Sequence, residues 1–436
     1  MSEEILINVT PPETRVAVIE NGVAQEIIIE RTKRKGIVGN IYKGKVCRVL
    51  PGMQAAFVDV GLERAAFLHA SDIITGDGAS ASPNIASLVR DGQEVVVQVV
   101  KDPLGTKGAR LTMNLSIPSR YLVYMPGMAT IGISQRIEEE EERRRLRDTI
   151  AMFSGELEVE GGFIARTAAE GADAMALRAD MMFLLRLWES VNSRAGASGA
   201  RERVHEDLPL ALRALRDLIG PEVEKIRIDS RSTCEKAQEF AERFIPELAS
   251  RIEYYPGERP IFDIYSVEDE IQKALERRVE LKSGGHLIID QTEAMTTIDV
   301  NTGAFVGHRN LEETIFKTNL EAAQAICRQL RLRNLGGIII IDFIDMTEEE
   351  HKRQVLRALE KCLARDHARA KISEVSSLGL VEMTRKRTRE SLERQLCEPC
   401  PCCTGRGNLK TAETTCYEVF REILREARQF DVESLL

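Results

Sequence analysis

The sequence predicts a multi-domain α/β protein with a small β-barrel, and three observations carry that reading. At 436 residues the chain exceeds the size at which a single hydrophobic core stops growing. Between Gly36 and Met113, five short apolar runs are punctuated by glycine, the pattern of a small closed barrel. From Gly284 a strand hairpin, a helix, a strand and a second helix succeed one another, which is an α/β unit.

In chain order, "TRVAVIENGVAQEIIIER" places Asn21-Gly22 between two alternating apolar runs, a hairpin signal. The barrel strands are "NIYKGKVCRVL", "MQAAFVDVG", "RAAFLHASDI", "EVVVQVVKD" and "ARLTMNL", with residues 75–84 as a loop excursion. "RIEEEEERRRLRDTIAMF" sets Glu139, Glu140 and Glu141 four residues before Arg143, Arg144 and Arg145, predicting a solvated helix laced by i,i+4 ion pairs. A strand "GGFIARTA", a helix through Trp188 and a loop over 192–203 follow, then helices near 206–219 and 231–250 and one from Ser266. In the α/β unit "HLIID" and "AMTTIDV" form the hairpin. A helix starts near Asn310 with Glu313 as capping partner, "GGIIIID" is a strand, and Thr347 with Glu350 is a capping box for the next helix.

Composition narrows the function classes. A net charge of −9 excludes a chain coated in positive potential, so phosphate contacts must come from local basic stripes. Arg385, Lys386, Arg387 and Arg389 form one such stripe, and Arg328, Arg331 and Arg333 another. No apolar run approaches the roughly 20 residues of a membrane-spanning helix. The opening "MSEEILINVT" lacks the basic and apolar regions of a signal peptide, so a cytoplasmic location is expected. Nine cysteines are too few for a disulfide scaffold, yet Cys397, Cys400, Cys402 and Cys403 cluster, as metal or redox chemistry requires.

Two acids end apolar strands: Asp299 in "TTIDVNTG" and Asp342 in "IIIIDFIDM". Ligands gather outside the carboxyl ends of strands in open α/β sheets. If the two strands are neighbours, their carboxylates converge, and a divalent cation such as Mg²⁺ relieves the repulsion between them. Asn301 lies on the same strand face as Asp299 and is suited to orient Asp342 or a phosphate oxygen. Helix capping is the competing reading for both acids, and the preferred one for Asp345.

"CEPCPCCTGRG" contains Cys400-Pro-Cys-Cys403, the knuckle spacing of a zinc ligand pair, with a redox motif as the alternative. One knuckle supplies two ligands and invites a second copy from another chain. In the barrel, Phe57 and Phe67 lie on successive strands near Tyr42, Lys43, Lys45 and Arg64, either to stack on unpaired bases or to fill the core. Arg166 and Thr167 end a short strand, as a terminal-phosphate grip or as a surface pair.

The order of these parts resembles the RNase E/G family of bacterial endoribonucleases, in particular its shorter branch. "GNIYKGKVCRVLPGMQAAFVDVG", "RTAAEGA", "TEAMTTIDVNTG", "TNLEAAQAICRQLRLRNLGGIIIIDFIDM" and "CPCCTGRG" carry the resemblance, which covers nearly the whole chain.

The resemblance implies an RNase H-like subdomain in two parts, 1–35 and 211–279, interrupted by an OB-fold barrel (36–118) and a 5′-sensor (119–210). A DNase I-like catalytic subdomain (280–396), a zinc-link (397–410) and the start of a small C-terminal domain that helps dimers form tetramers (411–436) would follow. By the same resemblance Asp299 and Asp342 match Mg²⁺-binding catalytic aspartates, and Asn301 the asparagine that helps hold the second. Arg166, Thr167 and Arg369 match 5′-monophosphate ligands, and Phe57 and Phe67 base-contacting aromatics. Cys400 and Cys403 match a link in which two chains share one Zn²⁺, giving a homodimer. The expected activity is Mg²⁺-dependent hydrolysis of single-stranded RNA, leaving 5′-phosphate and 3′-hydroxyl ends. An inert RNA-binding scaffold and a hydrolase of small phosphate esters are the rivals.

Overall fold

The computed structural model describes residues 2–73, 84–103, 107–219, 222–303, 311–366, 368–376, 378–387, 389–403, 405, 407 and 410–430. Two compact units result, Met1–Glu270 and Ile271–Leu436. Among the described residues no helix is long and apolar enough to cross a membrane.

The first unit opens with β1 (Glu3–Val9), β2 (Glu13–Glu20) and β3 (Val23–Arg31). Asn21 and Gly22 take left-handed backbone, φ 49° and 78°, so the Asn-Gly pair turns β2 into β3 as its chemistry demands. Next come β4 (Ile41–Leu50), β5 (Ala55–Asp59), β6 (Ala66–His69), β7 (Glu94–Lys101) and β8 (Arg110–Thr112). They run in the order β4-β5-β6-β8-β7, and pairing of β7 with β4 closes the predicted five-stranded barrel. The loop expected at 75–84 falls, apart from Asn84, outside the described residues.

A third module holds β9 (Ile117–Pro118), β10 (Leu122–Met125), β11 (Ile131–Ile133) and β12 (Gly162–Ala165), packed with helices Glu140–Glu156 and Ala174–Ala197. The ion pairs of the first helix form at i,i+3 rather than i,i+4: Glu140 with Arg143 at 3.8 Å and Glu142 with Arg145 at 2.6 Å. Arg143 is drawn back by the carbonyls of Ser134 (2.7 Å) and Ile137 (2.9 Å), and Glu142 accepts the Gly171 N–H at 2.8 Å. That face is therefore partly docked, not wholly solvated. The second helix runs past Trp188 to Ala197, where a loop was expected, because Val191 and Ala195 pack against Ile41 and Val204. The end of the supposed loop is β13 (Glu202–His205), paired with β4.

With β14 (Val223–Ile228) and β15 (Ile252–Tyr254), the chain returns to its beginning. Ile5 partners Ile226 in parallel pairing, and the sheet reads β15-β14-β1-β2-β3. Helices Leu210–Asp217 and Arg231–Phe244 supply its apolar cover. The single helix expected over 231–250 breaks at Ile245, whose backbone leaves the helical region (φ −148°, ψ 60°) before Pro246.

The second unit is a six-stranded sheet, β16 (Arg278–Glu280), β17 (His286–Gln291), β18 (Met295–Asn301), β19 (Gly337–Asp342), β20 (Ala370–Val375) and β21 (Leu380–Arg385), in the order β16-β17-β18-β19-β21-β20. Ile298, Val300, Ile339 and Ile341 face helices Leu311–Leu332 and Glu349–Leu363. The alternate residues, Thr297, Asp299, Ile338 and Asp342, are exposed on the other face. The expected Thr347–Glu350 capping box does not form, because Glu312 accepts the Thr347 and Glu348 amides at 3.0 and 3.3 Å in its place. The preceding helix is described from Leu311, Asn310 lying outside the described residues, and Glu313 pairs with Lys317 at 2.7 Å instead of capping.

Candidate functional site

β18 and β19 run parallel, and their last paired positions are Asp299 and Asp342. Partnered residues of adjacent strands stand about 4.8 Å apart, and because side chains alternate, both carboxylates project from the uncovered face. Burial raises the Asp342 pKa, with the neighbouring charges of Asp299 and then Asp345 adding to it. Two hard oxygen donors whose charges repel fit a small divalent cation. Among the described residues no group of three His, Cys, Asp or Glu is placed to hold a metal, so the pair would leave the other coordination positions to water and substrate oxygens.

Two details differ from the sequence reading. Asn301 donates from Nδ2 to Asp299 Oδ2 at 2.8 Å, so it orients the first aspartate, on its own strand, and not Asp342. Asp345 does not cap the helix after it, whose N-cap is Glu348; it is exposed and adds its charge to the field at Asp342.

On the barrel, Phe57 and Phe67 are register partners on β5 and β6 with ring centroids 6.1 Å apart, edge to face. Their neighbours Ala56, Val58, Ala66 and Leu68 fill the core, so alternation turns both rings outward and decides against a core role. Register extends the row: Arg48 on β4 partners Phe57, and Arg110 on β8 partners Phe67. Arg48 is exposed, whereas Arg110 is already paired with Asp72, to which it donates twice, at 3.1 and 2.9 Å. Tyr42 is buried, 5% exposed, and unavailable to a base. Lys45 is exposed, whereas Lys43 donates to the Ser198 carbonyl at 2.9 Å and pairs with Glu94 at 3.2 Å.

The Arg166 guanidinium, at the end of β12, donates to the Ser119 carbonyl at 2.5 Å and to Asp217 at 2.7 Å. Thr167 Oγ1 lies 3.0 Å from Ser134 Oγ. The loop under Arg166 is fixed by buried Asp180, which accepts the Tyr121 and Leu122 amides at 3.1 and 3.0 Å. Arg369 is exposed immediately before β20 in the second unit.

The two basic stripes are split between buried and exposed side chains. Arg385 is 4% exposed and grips Asp366 through two nitrogens, at 2.6 and 3.0 Å. Arg387 donates to the Gly336 carbonyl at 2.8 Å, and Arg331 and Arg333 are buried. Linear clustering overstates the stripes, because the alternation of β21 and the packing of the helix end turn Arg385, Arg331 and Arg333 inward while Lys386, Arg387 and Arg389 are exposed.

At the knuckle, Cys397, Cys400 and Cys402 are exposed. The backbone amides of Cys403 and Cys402 lower the Cys400 thiol pKa, which favours the thiolate that a metal binds. Gly407 N–H donates to Cys403 Sγ at 3.4 Å.

Comparison with known proteins agrees with this division. The profile of the Ribonuclease E/G family matches residues 116–388, and that of the S1 RNA binding domain matches residues 35–113. Ribonuclease G of Escherichia coli strain K12 is 58% identical over 444 residues, spanning 100% of this chain and 90% of that protein. Ribonuclease G of Haemophilus influenzae is 56% identical over 441 residues, 99% of this chain and 89% of that one. Ribonuclease E of Escherichia coli strain K12 is 41% identical over 433 residues, 98% of this chain and 40% of that protein.

Proposed function

The chain belongs to the Ribonuclease E/G family, and from that membership we propose how its own residues carry out endonucleolytic cleavage of RNA. It is an endoribonuclease of RNA processing, with an S1 barrel as its RNA-binding part.

The observation that carries the mechanism is the register pairing of Asp299 with Asp342. In this reading the two carboxylates hold Mg²⁺ against a phosphodiester of single-stranded RNA, and Asn301 keeps Asp299 in its binding rotamer. When bound, the cation lowers the pKa of water and neutralises charge developing on the phosphoryl oxygens. The products are a 5′-phosphate and a 3′-hydroxyl. Phe57 and Phe67 stack on unpaired bases while Lys43, Lys45 and Arg48 meet the backbone. Arg166 and Thr167 receive a 5′-monophosphate, giving preference to RNA that carries one.

Residues 280–396 then serve as the DNase I-like catalytic subdomain, 36–118 as the OB-fold barrel and 119–210 as the 5′-sensor. Residues 1–35 and 211–279 make the RNase H-like subdomain. Cys400 and Cys403 in the 397–410 link share Zn²⁺ with a second chain, and 411–436 begins a small C-terminal domain. The working place is the cytoplasm, in ribosomal RNA maturation or message decay.

End analysis of a short single-stranded RNA across a Mg²⁺ titration tests the reaction. Product carrying 5′-phosphate that appears only with the cation is expected; a 2′,3′-cyclic phosphate would exclude water as the nucleophile.

A further inference from the structure

We propose that Asn319 is a positioning residue for the acidic pair: a buried amide, one helix away, that fixes the backbone on which Asp342 and Asp345 stand. The inference rests on the reading of Asp299 and Asp342 as cation ligands.

Asn319 is 0% exposed in the middle of helix Leu311–Leu332, among Ala322, Ala323 and Ile326 of the apolar face. A buried amide is costly there unless its hydrogen bonds are made. None is spent on the helix itself. Nδ2 donates to the Ile344 carbonyl at 2.8 Å, and Oδ1 accepts the Ile344 N–H at 3.1 Å. Both backbone groups of one residue are held by one side chain.

The position of Ile344 explains why that grip matters. Ladder pairing of β19 ends at Asp342, which partners Asp299 on one side and Leu380 on the other. Beyond it the chain leaves the sheet, and Ile344 would have no strand partner. Asn319 stands in for that partner, two residues past Asp342 and one before Asp345. Only a side chain offering a donor and an acceptor together can do so. Seven residues earlier, on the same helix face, Glu312 holds the Thr347 and Glu348 amides. The helix therefore grips the segment after Asp342 at two points, and Asn319 is the one nearer the carboxylates.

The test uses the full chain, with Mn²⁺ as the probe. For Asn319→Ala that keeps a cooperative thermal transition, Mn²⁺ affinity without RNA, followed by electron paramagnetic resonance, falls about 10- to 100-fold, as when the support of a metal ligand is lost. The Mg²⁺ midpoint for cleavage rises by a similar factor, KM for RNA holds, and excess Mg²⁺ restores turnover. A general packing defect would not be rescued by the ion. Should the alanine variant not fold, Asn319→Asp keeps the volume and the acceptor but loses the donor, and the same shift is expected. Hydrogen exchange of the unmodified protein needs no variant: the Ile344 amide is protected, and free exchange there overturns the proposal. Mn²⁺ affinity and Mg²⁺ midpoint both within about twofold of the parent overturn it as well. Asp342→Asn separates the two readings, since undiminished Mn²⁺ binding in that variant removes the cation site itself, whatever Asn319 does.

Discussion

Arg166 donates to Asp217 across 2.7 Å, so the guanidinium that is the candidate phosphate grip already has one carboxylate partner. Burial pushes the Asp217 pKa up, but the adjacent Arg216 guanidinium, with Arg166, outweighs it and leaves the group below its ordinary value. Asp217 is therefore ionised at neutral pH and holds Arg166 in one orientation. A terminal phosphate would meet a preset fork instead of a mobile side chain. Arg166→Ala should lower kcat/KM for 5′-monophosphorylated RNA about 10- to 100-fold, the worth of one charge-assisted contact. Cleavage of the same RNA with a 5′-hydroxyl should stay within about twofold. Paired kinetics on the two substrates decide, and an equal loss on both would remove the sensor.

Asp342→Asn should abolish cleavage while stabilising the metal-free protein. The Asp342 pKa is raised by burial and then by Asp299 and Asp345. Between its ordinary and its raised pKa the folded state binds more protons than the unfolded one, so stability falls as pH rises through that window. Above it, the full repulsion remains. Melting in EDTA should show the variant about a degree or two more stable at pH 8, with the gap closing in acid. With Mg²⁺ present, cleavage by the parent protein should fall with acidification sooner than an ordinary aspartate would cause, because the proton and the cation compete for one carboxylate. A variant no more stable than its parent in EDTA would show that the two charges do not press on one another.

What could be read without coordinates was what local pattern encodes. Asp299 and Asp342 stand out because each ends a β-branched run, and Asn21-Gly22 because its backbone preference is chemical. The partners of these residues were hidden. Arg48 joins Phe57, and Arg110 joins Phe67, only through strand register, and Asp217 meets Arg166 from 51 positions away. Asn319 reads in sequence as one polar residue on an apolar helix; its purpose lies in the unpaired backbone of Ile344. Within the basic stripes, neighbours in sequence share a charge without sharing a face: Arg385 is buried while Lys386 beside it is exposed.

The row Arg48, Phe57, Phe67, Arg110 separates stacking from charge. Phe57→Ala should weaken single-stranded RNA binding by about 1–3 kcal/mol, the worth of one stacked base, without altering the salt dependence. Arg48→Ala should weaken it and also reduce the slope of log K against log salt by about 1. Lys43→Ala should cost less than Arg48→Ala, because its ammonium is paired with Glu94. Fluorescence anisotropy at several salt concentrations measures all three. A Phe57 variant that binds like its parent would place the RNA on another face.

The knuckle cysteines give the last test. Cys400 and Cys403 offer two thiolates, while tetrahedral zinc takes four ligands, and the lowered Cys400 pKa favours the binding form at neutral pH. If two chains complete one site, the assembled protein carries half a zinc per chain, and Cys400→Ser should convert dimers to monomers in sedimentation velocity. A zinc-selective chelator should do the same to the parent protein, with each unit still folded, because the knuckle lies outside all four sheets. Cys402→Ser and Cys397→Ser should leave the dimer intact if they are bystanders. One zinc per chain, or a dimer that survives both chelation and Cys400→Ser, would show that the metal is held within a chain and that something else joins the copies.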